Sequence, residues 1–189
     1  MNKELTRTVA YIGIAAVSIG LAFLLSPPRE ITPQQLTELK VGSEFFPEFT
    51  KPADATSVTV VSYDSDSATS RRFSVSFENG KWTIPSHFNY PADGQDRLAK
   101  TATSVKGIKR EELASASKQH HETFGVIDPL DKDRSELKGR GQRLILGKGA
   151  DTLVDLIIGN PVKNRQGFYY VRRSNEDATF VAKLDINLS

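Results

Sequence analysis

The chain of 189 residues contains no cysteine. That absence excludes disulfides, cysteine-ligated zinc, iron–sulfur clusters, thiol catalysis and a lipid-modified N-terminal cysteine. A charge bias is missing too: 25 Lys+Arg stand against 23 Asp+Glu, a formal net charge of +2. A general nucleic-acid binder carries a basic excess or stripe, so no nucleic-acid partner is expected. Hydrophobic residues make up 38% and charged residues 25%. With the apolar N-terminus set aside, this is the composition of an ordinary folded domain rather than of a disordered chain.

Charge is absent altogether from Val9 to Leu25, VAYIGIAAVSIGLAFLL. As a helix this run spans about 26 Å at roughly 1.5 Å per residue. Thr8 and Ser26 extend it toward the thickness of a bilayer's hydrocarbon core, and Pro27 and Pro28 stop it. A run that is apolar on every face is not a buried core helix. A cleaved signal peptide competes, because Gly20-Leu21-Ala22 has small residues at cleavage spacing. The apolar run continues past that site through Phe23, Leu24 and Leu25, which favours an uncleaved signal anchor. Lys3 and Arg7 precede the run, and only Arg29 lies comparably close after it. The positive-inside rule then holds the N-terminus in the cytoplasm. The expectation is a single-pass protein of the cytoplasmic membrane, held through Val9–Leu25, with its domain in the periplasm of a Gram-negative cell or otherwise outside.

Three regions follow: 1–26 as cytoplasmic tip and anchor, 27–56 as a membrane-proximal tether, and 57–189 as the domain. In the tether, Thr32 can cap a short helix with Pro33 at its first position and Leu36 and Leu39 on one face. VGSEFFPEFTKPADA reads as a loop packing aromatics onto the domain, with partner docking as the minority reading. SVTVVSYD and RRFSVSFE are strands. In the second, Phe73, Val75 and Phe77 share a face predicted to be buried, and Asn79-Gly80 turns into KWTIP, where Trp82 and Ile84 continue that face. Leu98, Ala102 and Val105 mark a helix at about 92–106 with Gly107 at its C-terminal cap. IKREELA leans to a short strand. Residues 115–124 read as a short helix ended by Gly125, before an Asp128-Pro129 turn. QRLILGK, TLVDLIIG, GFYYVRR and ATFVAKLD form an antiparallel meander, with the nearly continuous LVDLII central. The expected class is α+β: an N-terminal transmembrane helix, then one extracytoplasmic domain of antiparallel hairpins with one main packing helix.

Candidate chemistry is sparse. GQRLILGKG, Gly141–Gly149, has the wrong spacing for a phosphate loop, and Gly149 follows Lys148 where Ser or Thr is needed. Ser115-Ala116-Ser117-Lys118 matches a bare Ser-x-x-Lys pattern without the companion motifs of the enzymes that use it. His120 and His121 are adjacent and diverge by about 100° on a helix, and His87 is distant, so they read as solvent-facing rather than as metal ligands. Asp64-Ser65-Asp66 opens like a calcium loop but lacks its Gly and its final Glu. Lys138, Arg140, Arg143 and Lys148, extended by Lys132 and Arg134, are diluted by Asp131, Asp133 and Glu136. They read as a solvated loop, with lipid-headgroup or acidic-partner contact as the alternative. Phe168 and Tyr170 face one way and Tyr169 the other, so core packing takes at least one face and an aromatic binding platform is the alternative. Trp82 is assigned to the core. No set supplies nucleophile, base and oxyanion donors together, so no catalytic, cofactor or metal residue is assigned and no enzyme is expected.

The order of FSVSFENGKWTIP, PADGQDRLAKTATSV, TFGVIDP, RLILGK with TLVDLIIG, and GFYYVRRSNEDATFVAKLD, behind an N-terminal anchor, resembles the bacterial domain-of-unknown-function family 4340 over roughly residues 57–184. The matching positions are hydrophobic and turn residues, and Phe124 stands where the family often has Tyr. Members often continue beyond the position of Ser189. The resemblance implies an accessory role beside ABC-type transport systems, including those linked to gliding motility, with transporter membrane subunits as partners. The alternative is a tethered module that binds an envelope polymer or small ligand without a transporter partner, which exposed aromatics at Phe168–Tyr170 would favour.

Overall fold

The computed structural model of the chain describes residues 39–92, 95–132 and 138–185. The apolar run Val9–Leu25 and the helix expected after Thr32 lie outside them. Among the described residues no helix is long and apolar enough to cross a membrane. All of the described residues fall in the unit Leu36–Ser189.

Alternating and branched residues in the middle of the chain build nine strands: β1 Ser57–Asp64, β2 Thr69–Glu78, β3 Lys81–Ile84, β4 Tyr90–Pro91, β5 Glu112–Ser115, β6 Gln142–Lys148, β7 Asp151–Pro161, β8 Phe168–Arg173 and β9 Thr179–Lys183. They form one sheet in the order β4-β3-β2-β1-β6-β7-β8-β9-β5, antiparallel throughout. The two expected β units are therefore two meanders sewn together by one pair, β1 with β6. Asn79 and Gly80 both take positive φ, 52° and 77°, as a two-residue hairpin turn requires. At the β1–β2 turn, the backbone N–H groups of Ser67 and Asp66 donate to Asp64 and hold its carboxyl below the usual carboxylate range.

Each face of the sheet has its own cover. On one face the register aligns Val60 with Leu144 and Leu144 with Leu156, while Val58 aligns with Leu146 and Leu146 with Val154. Val171, Phe180 and Ala182 extend this floor. Helix α1, Gln95–Val105, contributes fully buried Ala102 and Val105, and Gly107 at φ 70° follows it as expected. The side chain of Leu98 lies outside the described residues. Phe45, Phe46 and Phe49 pack onto the same floor, so the aromatic loop that precedes β1 is part of the core.

The opposite face is covered by the crossover from β5 to β6. It contains a 3-10 turn, Lys118–His120, and a short helix α2, His121–Phe124, ended by Gly125 at φ 71°. Ser117 caps this turn, so the helical stretch starts later than expected and Ser115 stays in β5. Val126 and Ile127 of the crossover and Ile157 of β7 are all within 1% of full burial. The approach is close: a Cβ on Gly159 of β7 would come within 2.4 Å of the Phe124 carbonyl oxygen. Strand β7 is thus buried on both faces, as its continuous apolar run requires.

Two core assignments need correction. Of the β2 face only Val75 is buried; Phe73 is 51% and Phe77 43% exposed. Trp82 is half-buried against Phe77, with ring centroids 5.1 Å apart, and lies outside the main core cluster. Period-two patterning places side chains on a common face, but it does not supply a layer to cover that face. The cover made by residues 39–55 and α1 does not reach these side chains.

Candidate functional site

The chain from Leu39 to Phe49 crosses one end of the sheet and pairs with the residues before β5: Gly42 donates to Arg110 O, Arg110 to Ser43 O, and Phe45 to Ile108 O. Together with the start of β7 and the β8–β9 turn it encloses an open groove of about 950 Å³. Its apolar lining includes Phe46, Pro47, Phe49 and Leu153. Its polar floor is made by Arg110, Arg173 and Glu176.

Arg110 is 5% exposed. Its Nη2 donates to both Glu176 carboxylate oxygens, at 2.9 and 3.1 Å, and its Nη1 to Leu39 O at 3.3 Å. The guanidinium lies 4.9 Å from the Phe45 ring centroid and 5.1 Å from that of Phe180, a cation–π sandwich that covers the charge. Arg173 shares Glu176 at 3.7 Å and lies over the Phe46 ring. The lining therefore carries Lys40, Arg110 and Arg173 against Glu44, Glu48, Glu176 and Asp177, beside apolar rings, with Arg110 already covered. Such a lining offers apolar contacts and hydrogen-bonding groups to an extended segment, with no excess of positive charge. Four separated stretches of chain meet here, so no spacing in the sequence announces the groove.

The residues singled out in the sequence are dispersed. Ser115 and His120 do meet, with Oγ and Nδ1 2.7 Å apart. The Ser115 hydroxyl also accepts the Ser117 backbone N–H at 3.1 Å and is 8% exposed. It is a turn cap against a histidine, and Lys118 lines a different, smaller cleft of about 230 Å³. We expect a fluorophosphonate probe to label the protein no more than it labels a Ser115→Ala variant. Labelling lost specifically in that variant would make Ser115 a nucleophile.

His121 is buried rather than solvent-facing: its Nε2 donates to Asp177 O at 2.7 Å and ties α2 to the β8–β9 turn. His87 stays exposed in the 3-10 turn that follows β3. Among the described residues no cluster of His, Cys, Asp and Glu could hold a metal ion. Gly141–Gly149 is strand β6 and its turn, not a phosphate loop.

The basic cluster divides: Lys132, Lys138 and Lys148 are exposed, as a solvated loop requires, Arg134 lies outside the described residues, and Arg140 and Arg143 turn inward. Arg143 forks onto Asp155, with Nε to Oδ1 at 2.8 Å and Nη2 to Oδ2 at 2.6 Å, and its Nη1 reaches Asp128 at 2.8 Å. The Asp155 hydrogen bonds raise the Arg143 pKa further, so this clamp stays charged. Arg140 donates to the carbonyls of Asp128 and Asp131 and lies over the Tyr63 ring. Lys148 pairs with Asp54. Both arginines work inward, fastening the crossover to the sheet.

The strand aromatics are likewise engaged. Tyr169 packs on the core, Tyr170 lies 4.5 Å from the Phe124 ring, and Arg165 covers Phe168 at 4.0 Å. They do not form a free platform.

No curated protein and no solved structure matches the chain. The model of a family described as a domain of unknown function, DUF4340, matches residues 82–188, beginning within β3 and leaving the β1–β2 hairpin before it. That match covers more than half of the chain, which therefore belongs to the DUF4340 family.

Proposed function

We propose that this protein is a membrane-anchored, non-enzymatic accessory domain outside the cytoplasmic membrane that binds a component of an ABC-type transport system. The observation that carries the reading is the groove. An open, half-apolar groove lined by charges of both signs suits a peptide segment, and among the described residues its lining brings together no nucleophile with base and oxyanion donors. The uncharged run Val9–Leu25 supports the anchor, and the order of elements supports the transporter association by resemblance. The polymer-binding alternative loses its main support, since the rings of Phe168, Tyr169 and Tyr170 are occupied within the fold.

The test is crosslinking in native membranes, then purification and mass spectrometry, on the full chain and on a chain lacking Thr8–Ser26. The expected result is recovery of transporter membrane subunits with the full chain alone. Recovery of envelope polymer instead, with no transporter subunit, would overturn the reading.

A further inference from the structure

We infer that the wing formed by β2, β3 and β4 is a lipid-contact surface whose aromatic face seats in the interfacial layer of a bilayer. The register places these side chains on one face: Phe77 lies opposite Trp82, and Ile84 opposite Tyr90. Phe73 and Phe77 are about half exposed, Tyr90 is 68% and Phe88 103% exposed. Phe88 belongs to the turn between β3 and β4, outside the paired positions. Exposed aromatic side chains grouped in this way mark a contact surface. Mixed Phe, Tyr and Trp composition is that of side chains at membrane–water interfaces.

The tip of the wing points to lipid rather than to a protein. Phe88 and Asn89 both hold left-handed backbone, φ 55° and 56°, a strained state for a bulky aromatic residue. Nothing in the described chain touches the Phe88 ring enough to reduce its exposure, so no pocket or neighbour orders it. A protein pocket would have to order that ring, whereas a fluid layer closes around it in any rotamer. Backbone pairing with another chain is blunted, because the edge strand β4 is two residues long and contains Pro91. The exposed charges of the wing are Arg71, which pairs with Asp64, and Arg72 and Lys81 against Glu78, a small basic excess that suits headgroup phosphates beside the aromatic contact.

This inference rests on the anchored reading above.

The protein carries its own probe, because Trp82 is its only tryptophan. The full chain is reconstituted in phosphatidylcholine vesicles and in vesicles of the same lipid brominated near the headgroup. Anchoring is scored separately, as retention on flotation at alkaline pH. We expect about a twofold loss of Trp82 emission in brominated vesicles and weak quenching by aqueous iodide. Phe88→Asn combined with Tyr90→Ser should abolish the bromine quenching without releasing the chain; Asn suits the left-handed position, so the turn is kept. Retention with equal emission in both vesicles and free access of iodide overturns the lipid assignment while leaving the anchor intact. Release with quenching preserved keeps the assignment and removes the anchor, and release without quenching overturns both.

Discussion

Phe45→Ala should destabilise the domain by about 3–5 kcal/mol in denaturant titration of the full chain in detergent micelles, the usual cost of deleting a fully buried ring. Phe45 precedes every strand of the sheet, in a stretch whose two prolines and three phenylalanines read locally as a loop. Yet its ring is 1% exposed and meets Phe180 edge-on, with centroids 5.6 Å apart, while Arg110 lies over both. Removing it leaves a cavity under a guanidinium whose Nε already has no hydrogen-bond partner. Phe180→Ala should cost a similar amount. The double variant should cost less than the sum, with a coupling of about 0.5–3 kcal/mol, because the two rings stabilise each other and the same arginine. A loss below about 1 kcal/mol for Phe45→Ala would mean that residues 39–49 are a peripheral strap, and the groove they wall would then not be a fixed feature.

Arg143→Leu should cost about 3 kcal/mol, nearer the lower end of what breaking a buried ion pair costs because the partners retain some solvent contact. The substitution leaves the Asp128 and Asp155 carboxylates without the cation that joins the crossover to β7. Asp155 keeps the Ser174 hydroxyl, at 2.6 Å, as a donor. Arg143→Lys should recover little, since an ammonium cannot fork onto both oxygens of Asp155 and also reach Asp128. Adding Asp128→Asn and Asp155→Asn to Arg143→Leu should recover a large part of the loss, because the uncompensated charge is what costs most. If Arg143→Leu alone were neutral, the clamp would be an ordinary surface pair and the crossover would be held by Arg140, His121 and the buried Val126 and Ile127.

These two cases also show where the sequence is informative. Strands β1, β2 and β6 to β9 announce themselves through period-two or continuous apolar patterns, and Asn79-Gly80 and Gly125 through the positive φ they must adopt. The helix α1 follows from Ala102 and Val105 in the same way. Burial of a face is a different question. Phe73, Val75 and Phe77 alternate correctly, yet whether they are covered depends on residues far away in the chain. Arg140 and Arg143 look like a surface cluster beside Lys138, because charge alone does not reveal an inward-facing fork onto Asp155. The groove is least legible of all: Leu39–Phe49, Arg110, Leu153 and Arg173–Ala178 meet only through the sheet order that sets β7, β8, β9 and β5 side by side.

The proposed division of labour puts a protein partner in the groove and lipid on the wing. A photo-crosslinking amino acid placed at Leu153, and in a separate chain at Phe88, tests it in native membranes. The Leu153 position should capture a transporter membrane subunit, while the Phe88 position should capture phospholipid and no protein. Capture of that subunit through Phe88, with nothing captured through Leu153, would contradict it.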